Sequence, residues 1–220
     1  MRPRGKKDLI CLDEPKSVAA EAFRTLRSNI QFAGFNKDQR VLLVTSAEPG
    51  EGKTTTMLNL GIVMMQANQK VLLIDADMRK PSVHVRLCIP AEPGLSNLLI
   101  NQVEATAAIQ HVPETKLDVI TSGTVPPNPA ELLNSPKMGE ILQLVKREYD
   151  YVLIDSPPLL PATDAQVLSR YVDGTLMVIN SGKAEEENVR KAKSLLELAG
   201  ANLMGFVLNN TKSTVANYYM

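Results

Sequence analysis

VLLVTSAEPGEGKTT, the stretch of residues 41–55, decides the fold of this chain. Its first four residues form an apolar run typical of a β-strand, and a helical pattern over residues 57–66 follows the stretch. A strand, a glycine-containing turn, Gly-Lys-Thr and a helix in this order predict a phosphate-binding P-loop. The strict pattern has glycine where this chain has Ala47, and a glycine-rich turn with an exposed lysine is the structural alternative.

The amides and side chains of this turn suit the phosphates of a nucleotide. Backbone N–H groups of the turn and of the first helical turn point into one concavity, where the helix dipole adds positive potential. Lys53 can reach the terminal phosphates from here, and the hydroxyl of Thr54 is placed to bind Mg²⁺. The residues expected to contact the nucleotide are Pro49, Gly50, Glu51, Gly52, Lys53 and Thr54.

Length and composition limit the possible functions. With 220 residues and 44% hydrophobic content, residues 1–220 are expected to form a single α/β domain. Lysine plus arginine and aspartate plus glutamate both total 24, so bulk charge does not favour nucleic acid or an anionic membrane as partner. Cys11 and Cys88 indicate neither a disulfide framework nor a metal cluster, which favours a cytoplasmic setting. No apolar stretch approaches the roughly 18 residues of a membrane span, so membrane attachment is expected only through a partner.

Apolar runs alternate with amphipathic segments along the chain. The runs predict strands at 41–45, 71–76, 117–121, 151–155, 175–180 and 206–209, and the amphipathic segments predict helices at 17–32, 57–66, 130–149 and 185–199. Strands that are apolar on both faces and joined by crossover helices imply a mostly parallel sheet flanked by helices on both faces. We expect residues 1–16 to form a mobile arm and residues 211–220 a flexible tail.

Acidic side chains follow two of the predicted strands. Asp75, Asp77 and Arg79 lie at the end of one strand, and Asp155 ends another. Because ligands bind at the carboxyl ends of parallel strands, these groups are expected beside the P-loop. Asp155 is the best candidate for a Mg²⁺ ligand, while a carboxylate near the γ-phosphate can accept a proton and Arg79 can balance charge. Each aspartate taken alone is more often a cap or turn residue.

Two further polar features are less specific. Asn209 ends the last predicted strand, where its amide could read the adenine edge or close a turn. His84 and His111 are isolated in the sequence, and neither is expected to be catalytic.

Four motifs occur together in this chain: Gly50-Glu51-Gly52-Lys53-Thr54-Thr55, Asp75-Ala76-Asp77-Met78-Arg79-Lys80-Pro81, Ile154-Asp155-Ser156-Pro157-Pro158 and Pro126-Pro127-Asn128-Pro129. Through them the chain resembles, over nearly its whole length, the bacterial tyrosine kinases, a P-loop family associated with capsule and exopolysaccharide synthesis. The resemblance implies a P-loop NTPase fold of deviant-Walker, MinD-like architecture and an ATP-dependent protein-tyrosine kinase with ATP and Mg²⁺ as cofactors.

The resemblance also implies roles for individual residues. Lys53, Thr54 and Thr55 would bind the phosphates, and Thr54, Asp155 and one of the paired aspartates would hold the metal. The other aspartate of the pair would assist the tyrosine hydroxyl. We favour Asp75 as that base and Asp77 as the metal-side group, and the order of the two stays open.

Oligomerisation and phosphoacceptor residues follow from the same resemblance. Glu21, Arg24 and Arg27 match the family's Glu-x-x-Arg-x-x-Arg oligomerisation motif, and their spacing places them within a sector of about 120° on one helical face. A solvated face with internal Glu–Arg pairs would give the same pattern. A head-to-tail ring would carry Tyr218 and Tyr219 of one subunit's tail into a neighbour's site. The implied partners are a transmembrane activator related to polysaccharide co-polymerases, which recruits the chain to the inner face of the plasma membrane through a cytosolic tail, and protein-tyrosine substrates.

Two other functions compete with the kinase. A partition or positioning ATPase of the ParA/MinD-like switch class has a signature lysine where this chain has Glu48, and a carboxylate there would reverse the electrostatics at a neighbour's phosphates. A nucleotide-sensing adaptor that reports through its oligomeric state is the non-enzymatic alternative.

Overall fold

Strands and helices alternate along the chain, and the computed structural model describes them for residues 9–33 and 39–211. The strands are β1 (Val41–Ser46), β2 (Val71–Asp75), β3 (Ile109–Val112), β4 (Leu117–Ile120), β5 (Tyr151–Asp155), β6 (Gly174–Asn180) and β7 (Leu203–Asn209). The helices are α1 (Ile10–Asp13), α2 (Val18–Phe32), α3 (Lys53–Gln66), α4 (Val83–Leu87), α5 (Leu95–Leu99), α6 (Ala105–Ala108), α7 (Pro129–Leu133), α8 (Pro136–Glu148), α9 (Asp164–Leu168) and α10 (Glu186–Leu198).

The strands form one sheet in the order β3-β4-β2-β5-β1-β6-β7. All neighbouring strands are parallel except β3 and β4, which confirms the expected mostly parallel sheet. In this order β1 lies beside β5, and β5 lies beside β2. The carboxyl ends of the P-loop strand and of both aspartate-bearing strands therefore meet at one edge of the sheet.

Each face of the sheet packs against its own hydrophobic core. Along β1, Val41 and Leu43 belong to one core, while Leu42 and Val44 belong to the other. This alternation follows from the period-2 side-chain geometry of a strand. Helix α3 packs against the sheet on one side and against α1 and α2 on the other. Its residues 56–64 are consequently all buried, so the helix after the P-loop is fixed from both sides.

The region between β2 and β5 departs from the prediction at two places. Strand β3 was not expected, because its sequence, Ile109–Val112, is half exposed and shows no apolar run. The helix predicted over 130–149 is divided into α7 and α8 at Ser135 and Pro136. Ser135 has an extended backbone, with ψ 149°, because the ring of the following Pro136 disfavours the helical conformation at the residue before it.

The N-terminal segment also differs from the prediction. Residues 9–13, expected within a mobile arm, contain helix α1, with Leu9 and Cys11 fully buried. The N–H of Cys11 donates to Asn59 Oδ1 at 2.9 Å, and Gln66 Nε2 donates to the Cys11 carbonyl at 3.1 Å. The prediction of an arm is therefore wrong for this part, and residues 1–8 lie outside the described ranges. Helix α2 begins after Ser17, whose hydroxyl caps it by accepting the N–H of Ala20 at 3.2 Å.

Candidate active site

The turn between β1 and α3 has the conformation of a phosphate-binding loop. Gly50 and Gly52 have φ values of +81° and +97°, which favour glycine. Gly52 precedes α3 directly, and its carbonyl accepts the N–H of Thr56 at 2.9 Å. The N–H groups before Thr56 therefore have no acceptor within the helix and are available to a ligand at its start. Lys53 is only 8% exposed, which places a cation at the helix N-terminus.

The buried Glu51 side chain stabilises this loop through hydrogen bonds to backbone N–H groups. The side chain is 3% exposed, and its Oε2 accepts the N–H of Glu48 at 2.9 Å. Its Oε1 accepts the N–H of Asn180, at the end of β6, at 3.4 Å. Glu51, which was predicted to contact the nucleotide, thus also stabilises the loop conformation through its carboxylate.

Asp155 lies directly beside the P-loop. Thr54 donates its hydroxyl to Asp155 Oδ2 at 2.5 Å. The other oxygen, Oδ1, is buried and has no hydrogen-bond partner among the residues that the structure describes. Burial raises the pKa of this carboxyl above its ordinary value, although the Lys53 ammonium opposes the increase. A buried carboxylate oxygen without a donor is suited to a cation.

Asp75 is the strand neighbour of Asp155 but is more enclosed. It is 0% exposed, its Oδ1 accepts the N–H of Asp77 at 3.1 Å, and its Oδ2 accepts those of Ser82 and Val83 at 3.2 and 3.1 Å. Burial, followed by the negative charge of Asp155, raises the pKa of Asp75 well above its ordinary value. The predicted convergence of acidic groups is therefore present, with Asp75 beneath the surface.

A cleft of about 280 Å³ opens above these groups. Its lining residues are Pro49, Gly50, Gly52, Lys53, Thr54, Asp77, Arg79, Lys80, Ser82, Arg86, Pro157, Pro158, Pro161 and Ala162. Sequence reasoning missed Ser82 and Arg86, which carry no recognisable motif. Ser82 donates its hydroxyl to Thr54 Oγ1 at 3.3 Å, and Arg86 Nη1 donates to Thr55 Oγ1 at 3.2 Å. Both residues thus join the segment after β2 to the P-loop.

Several known proteins with similar sequences are named tyrosine-protein kinases. The AAA-domain family matches residues 39–184. Tyrosine-protein kinase YwqD of Bacillus subtilis (strain 168) is 43% identical over 216 residues, which are 98% of this chain and 91% of YwqD. The chain belongs to the bacterial tyrosine-kinase family. Tyrosine-protein kinase etk of Escherichia coli (strain K12) is 38% identical over 96% of this chain, which spans 29% of etk.

Solved structures agree with this membership. The kinase domain of Escherichia coli tyrosine kinase ETK has a TM-score of 0.90 at 36% identity, covering 100% of this chain and 88% of that one. The septum site-determining protein MinD from Pyrococcus horikoshii OT3 has a TM-score of 0.67 at 24% identity, over 79% of this chain and 71% of that one. The second likeness shows the fold alone, and it confirms the expected MinD-like architecture of this bacterial tyrosine kinase.

Arg79 of the kinase is held by a residue that sequence reasoning missed. Its Nε donates to Asp164 Oδ2, on α9, at 3.0 Å, and Asp164 is 0% exposed while the arginine side chain is 44% exposed. Asp164 Oδ1 has no hydrogen-bond partner within the described ranges. The guanidinium lines the cleft with its position set by this ion pair. Asp164 lies 85 residues away in sequence, and no local pattern links the two.

Asn209 contacts the P-loop itself. Its Nδ2 donates to the Glu51 carbonyl at 3.0 Å, and its Oδ1 accepts the N–H of Asn210 at 2.9 Å. The second contact matches the turn-closing alternative, while the first was not expected. Glu48, which occupies the position of the switch ATPases' lysine, accepts Asn188 Nδ2 at 3.2 Å through Oε1.

The three charged residues assigned to oligomerisation differ in their contacts within the chain. Arg24 Nη1 pairs with Glu21 Oε2 at 2.8 Å, and its Nη2 donates to the Pro15 carbonyl at 2.6 Å. Arg27 Nη1 donates to the Val63 carbonyl on α3 at 3.1 Å. An internal Glu–Arg pair is thus present, and Arg27 is directed partly at its own α3.

The remaining residues considered in the sequence are the tail tyrosines, His111 and the two cysteines. Tyr218 and Tyr219 lie outside the described residues. His111 Nδ1 lies 2.9 Å from Asp118 Oδ1, at 61% exposure and away from the cleft lining. Of the cysteines, Cys11 is buried, Cys88 is exposed, and both are free thiols. Across residues 9–33 and 39–211, no helix has the length and apolar character needed to cross a membrane.

Proposed function

We propose that the chain is an ATP-dependent protein-tyrosine kinase that transfers the γ-phosphoryl group to tyrosine hydroxyls. The observation that carries the proposal is the cleft lined by Lys53, Thr54 and Asp77, with the buried Asp155 hydrogen-bonded to Thr54 behind the lining. The named tyrosine kinases that match nearly the whole chain support the acceptor class.

The chain's own groups would bind and orient the triphosphate. N–H groups at the start of α3 would donate hydrogen bonds to phosphate oxygens, and Lys53 would balance the charge on the transferring group. The acceptor hydroxyl oxygen bonds to the γ-phosphorus as the bond to the β–γ bridging oxygen breaks and ADP leaves. Arg79, fixed by Asp164, faces the same cleft and adds positive charge where negative charge develops.

Mg²⁺ fits the donor set beside Lys53. The described residues hold no cluster of three or more His, Cys, Asp or Glu side chains suited to a metal on their own. However, Mg²⁺ commonly takes one or two carboxylates together with phosphates and waters, and the partnerless Asp155 Oδ1 offers one oxygen. Thr54 and Asp155 would hold the ion. When bound, it neutralises the charge shared by the β- and γ-phosphates.

For the base we propose Asp77 in place of Asp75. Both oxygens of Asp75 accept backbone N–H groups, the side chain is 0% exposed, and it is not among the cleft's lining residues. Asp77 is partly exposed and lines the cleft, so it can reach a hydroxyl and accept its proton. Asp77→Asn should therefore lower kcat further than Asp75→Asn does. The opposite order would restore Asp75 to the role.

The acceptors we propose are Tyr218 and Tyr219, phosphorylated between subunits of a head-to-tail ring. The Glu-x-x-Arg-x-x-Arg motif on α2 supports such a ring, and Arg24 presents a charged group with 32% exposure on that helix. The proposed activator is a transmembrane protein related to polysaccharide co-polymerases, which would place the kinase at the inner face of the plasma membrane. In etk the matched region is joined to more sequence, which supports a need for such a second part.

The regulation of capsular or exopolysaccharide synthesis is the proposed cellular role. The names of relatives such as CapB of Staphylococcus aureus, 41% identical over 90% of this chain, and a putative kinase "in cps region" of Klebsiella pneumoniae support it. The ParA/MinD-like switch ATPase is disfavoured, since Glu48 cannot act as a lysine toward another subunit's phosphates.

The experiment is phosphosite mapping by mass spectrometry after incubation with Mg-ATP and the activator's cytosolic segment. Phosphate on Tyr218 or Tyr219 that is lost in Lys53→Met is the expected result. Lys193→Met, which removes a half-exposed lysine on α10, is the matched control and should retain the label. Phosphate release without phosphotyrosine, in the presence of the activator segment, would favour the switch ATPase.

A further inference from the structure

Asn209, the last residue of β7, touches the P-loop main chain at two successive residues. Its Nδ2 donates to the Glu51 carbonyl at 3.0 Å, across 158 positions of sequence. The same amide packs against Gly52, where a Cβ atom would collide with Nδ2. Because Gly52 directly precedes Lys53, the Asn209 side chain supports the loop at the point where it enters α3.

Glu51 is held on its other side by the neighbouring strand. Its carboxylate accepts the N–H of Asn180, and Asn180 is the register partner of Asn209 in the β6–β7 pair. The ends of two adjacent strands therefore both bind Glu51. Asn180 of β6 binds its carboxylate, and Asn209 of β7 binds its carbonyl. Rotation of the Glu51–Gly52 peptide would break the second contact.

We propose that Asn209 is a positioning residue that sets the affinity for nucleotide phosphates through the P-loop main chain and does not select the base. The proposal rests on the proposed function as an ATP-dependent kinase. The Asn209 amide already uses one N–H on Glu51 and its oxygen on the Asn210 N–H, contacts that orient it toward the loop. A base reader would instead keep its donor and acceptor directed at the base edge.

Loss of the Nδ2 donor should weaken phosphate binding by about fivefold to tenfold, the worth of one hydrogen bond that orients a binding loop. The loss should be equal for ligands that share phosphates and differ in the base. Asn209→Ala removes the donor. Asn210→Gly is the matched control, because it keeps the N–H donated to residue 209 and suits the φ of +60° at that position.

The test measures dissociation constants of ATP, GTP and inorganic triphosphate with Mg²⁺, by competition against a fluorescent ATP analogue, on the full chain. We expect Asn209→Ala to weaken all three ligands by a similar factor and Asn210→Gly to weaken none. A loss confined to ATP would assign Asn209 to the adenine and overturn the proposal. Unchanged affinity for every ligand would overturn it as well.

Two controls separate a loss of binding from a loss of folding and from a failure of the proposed function. Circular dichroism and a urea transition report whether Asn209→Ala is folded, and Asn209→Ser, too short to reach Glu51, replaces it if it is not. A wild-type chain that binds ATP but never labels tyrosine would contradict the proposed function while leaving this binding test intact.

Discussion

Replacing Arg79 with alanine should lower the free energy of unfolding by about 2–3 kcal/mol, because the change leaves the buried carboxylate of Asp164 without its cationic partner. Asp164 is 0% exposed, and the one hydrogen bond of its carboxylate among the described residues is the 3.0 Å contact with Arg79 Nε. Breaking a fully buried pair costs about 3–5 kcal/mol. We expect less here, since the arginine side chain is 44% exposed and water can enter when it is removed.

The assay is urea unfolding analysed by linear extrapolation for Arg79→Ala, Asp164→Asn and the double variant. The double variant should be more stable than the sum of the single losses predicts, by about 1 kcal/mol or more, since neither charge is then left alone. Arg190→Ala is the matched control. Its partner Glu186 is 79% exposed and the arginine 77%, so we expect a loss below about 0.5 kcal/mol.

The reasoning depends on burial and not on the presence of an ion pair as such. A loss in Arg79→Ala no larger than that in Arg190→Ala would refute it. Strict additivity of Arg79→Ala and Asp164→Asn would refute the coupling of the two residues, even if each change were destabilising.

Three further outcomes are expected. In the nucleotide-free folded protein, the raised pKa of Asp75 lets its carboxyl keep a proton above pH 4, whereas the same carboxyl in the unfolded chain loses it. The contribution of Asp75 to the free energy of unfolding therefore decreases as pH rises above about 4. A carboxyl-carbon NMR titration should show a midpoint well above 4 that is absent in Asp75→Asn. Gly52→Ala should unfold at lower urea than Gly50→Ala, since both residues have positive φ but only a Cβ at 52 meets Asn209; equal midpoints would count against that contact. Arg24→Ala should reduce oligomer mass in light scattering, and an unchanged mass would remove the role assigned to α2.

Sequence could predict the elements whose signals are local. The P-loop was identifiable because an apolar strand, a glycine-containing turn and Gly-Lys-Thr follow one another along the chain, and the structure has β1 before the turn and α3 after it. Asp155 was found because it ends an apolar run, and the strand-end rule placed it beside Lys53. Strand β3 could not be found in the same way, since its half-exposed residues form a strand only through antiparallel pairing with β4.

The sequence by itself determined the phosphate-binding turn, the parallel sheet and the family, because each is encoded by residues that are neighbours along the chain. Tertiary structure alone decided how deep each aspartate lies, that Asp164 holds Arg79, and that Asn209 supports Glu51. These contacts join residues 85 and 158 positions apart. The partners are set by the order of the strands within the sheet, and no spacing in the sequence records that order.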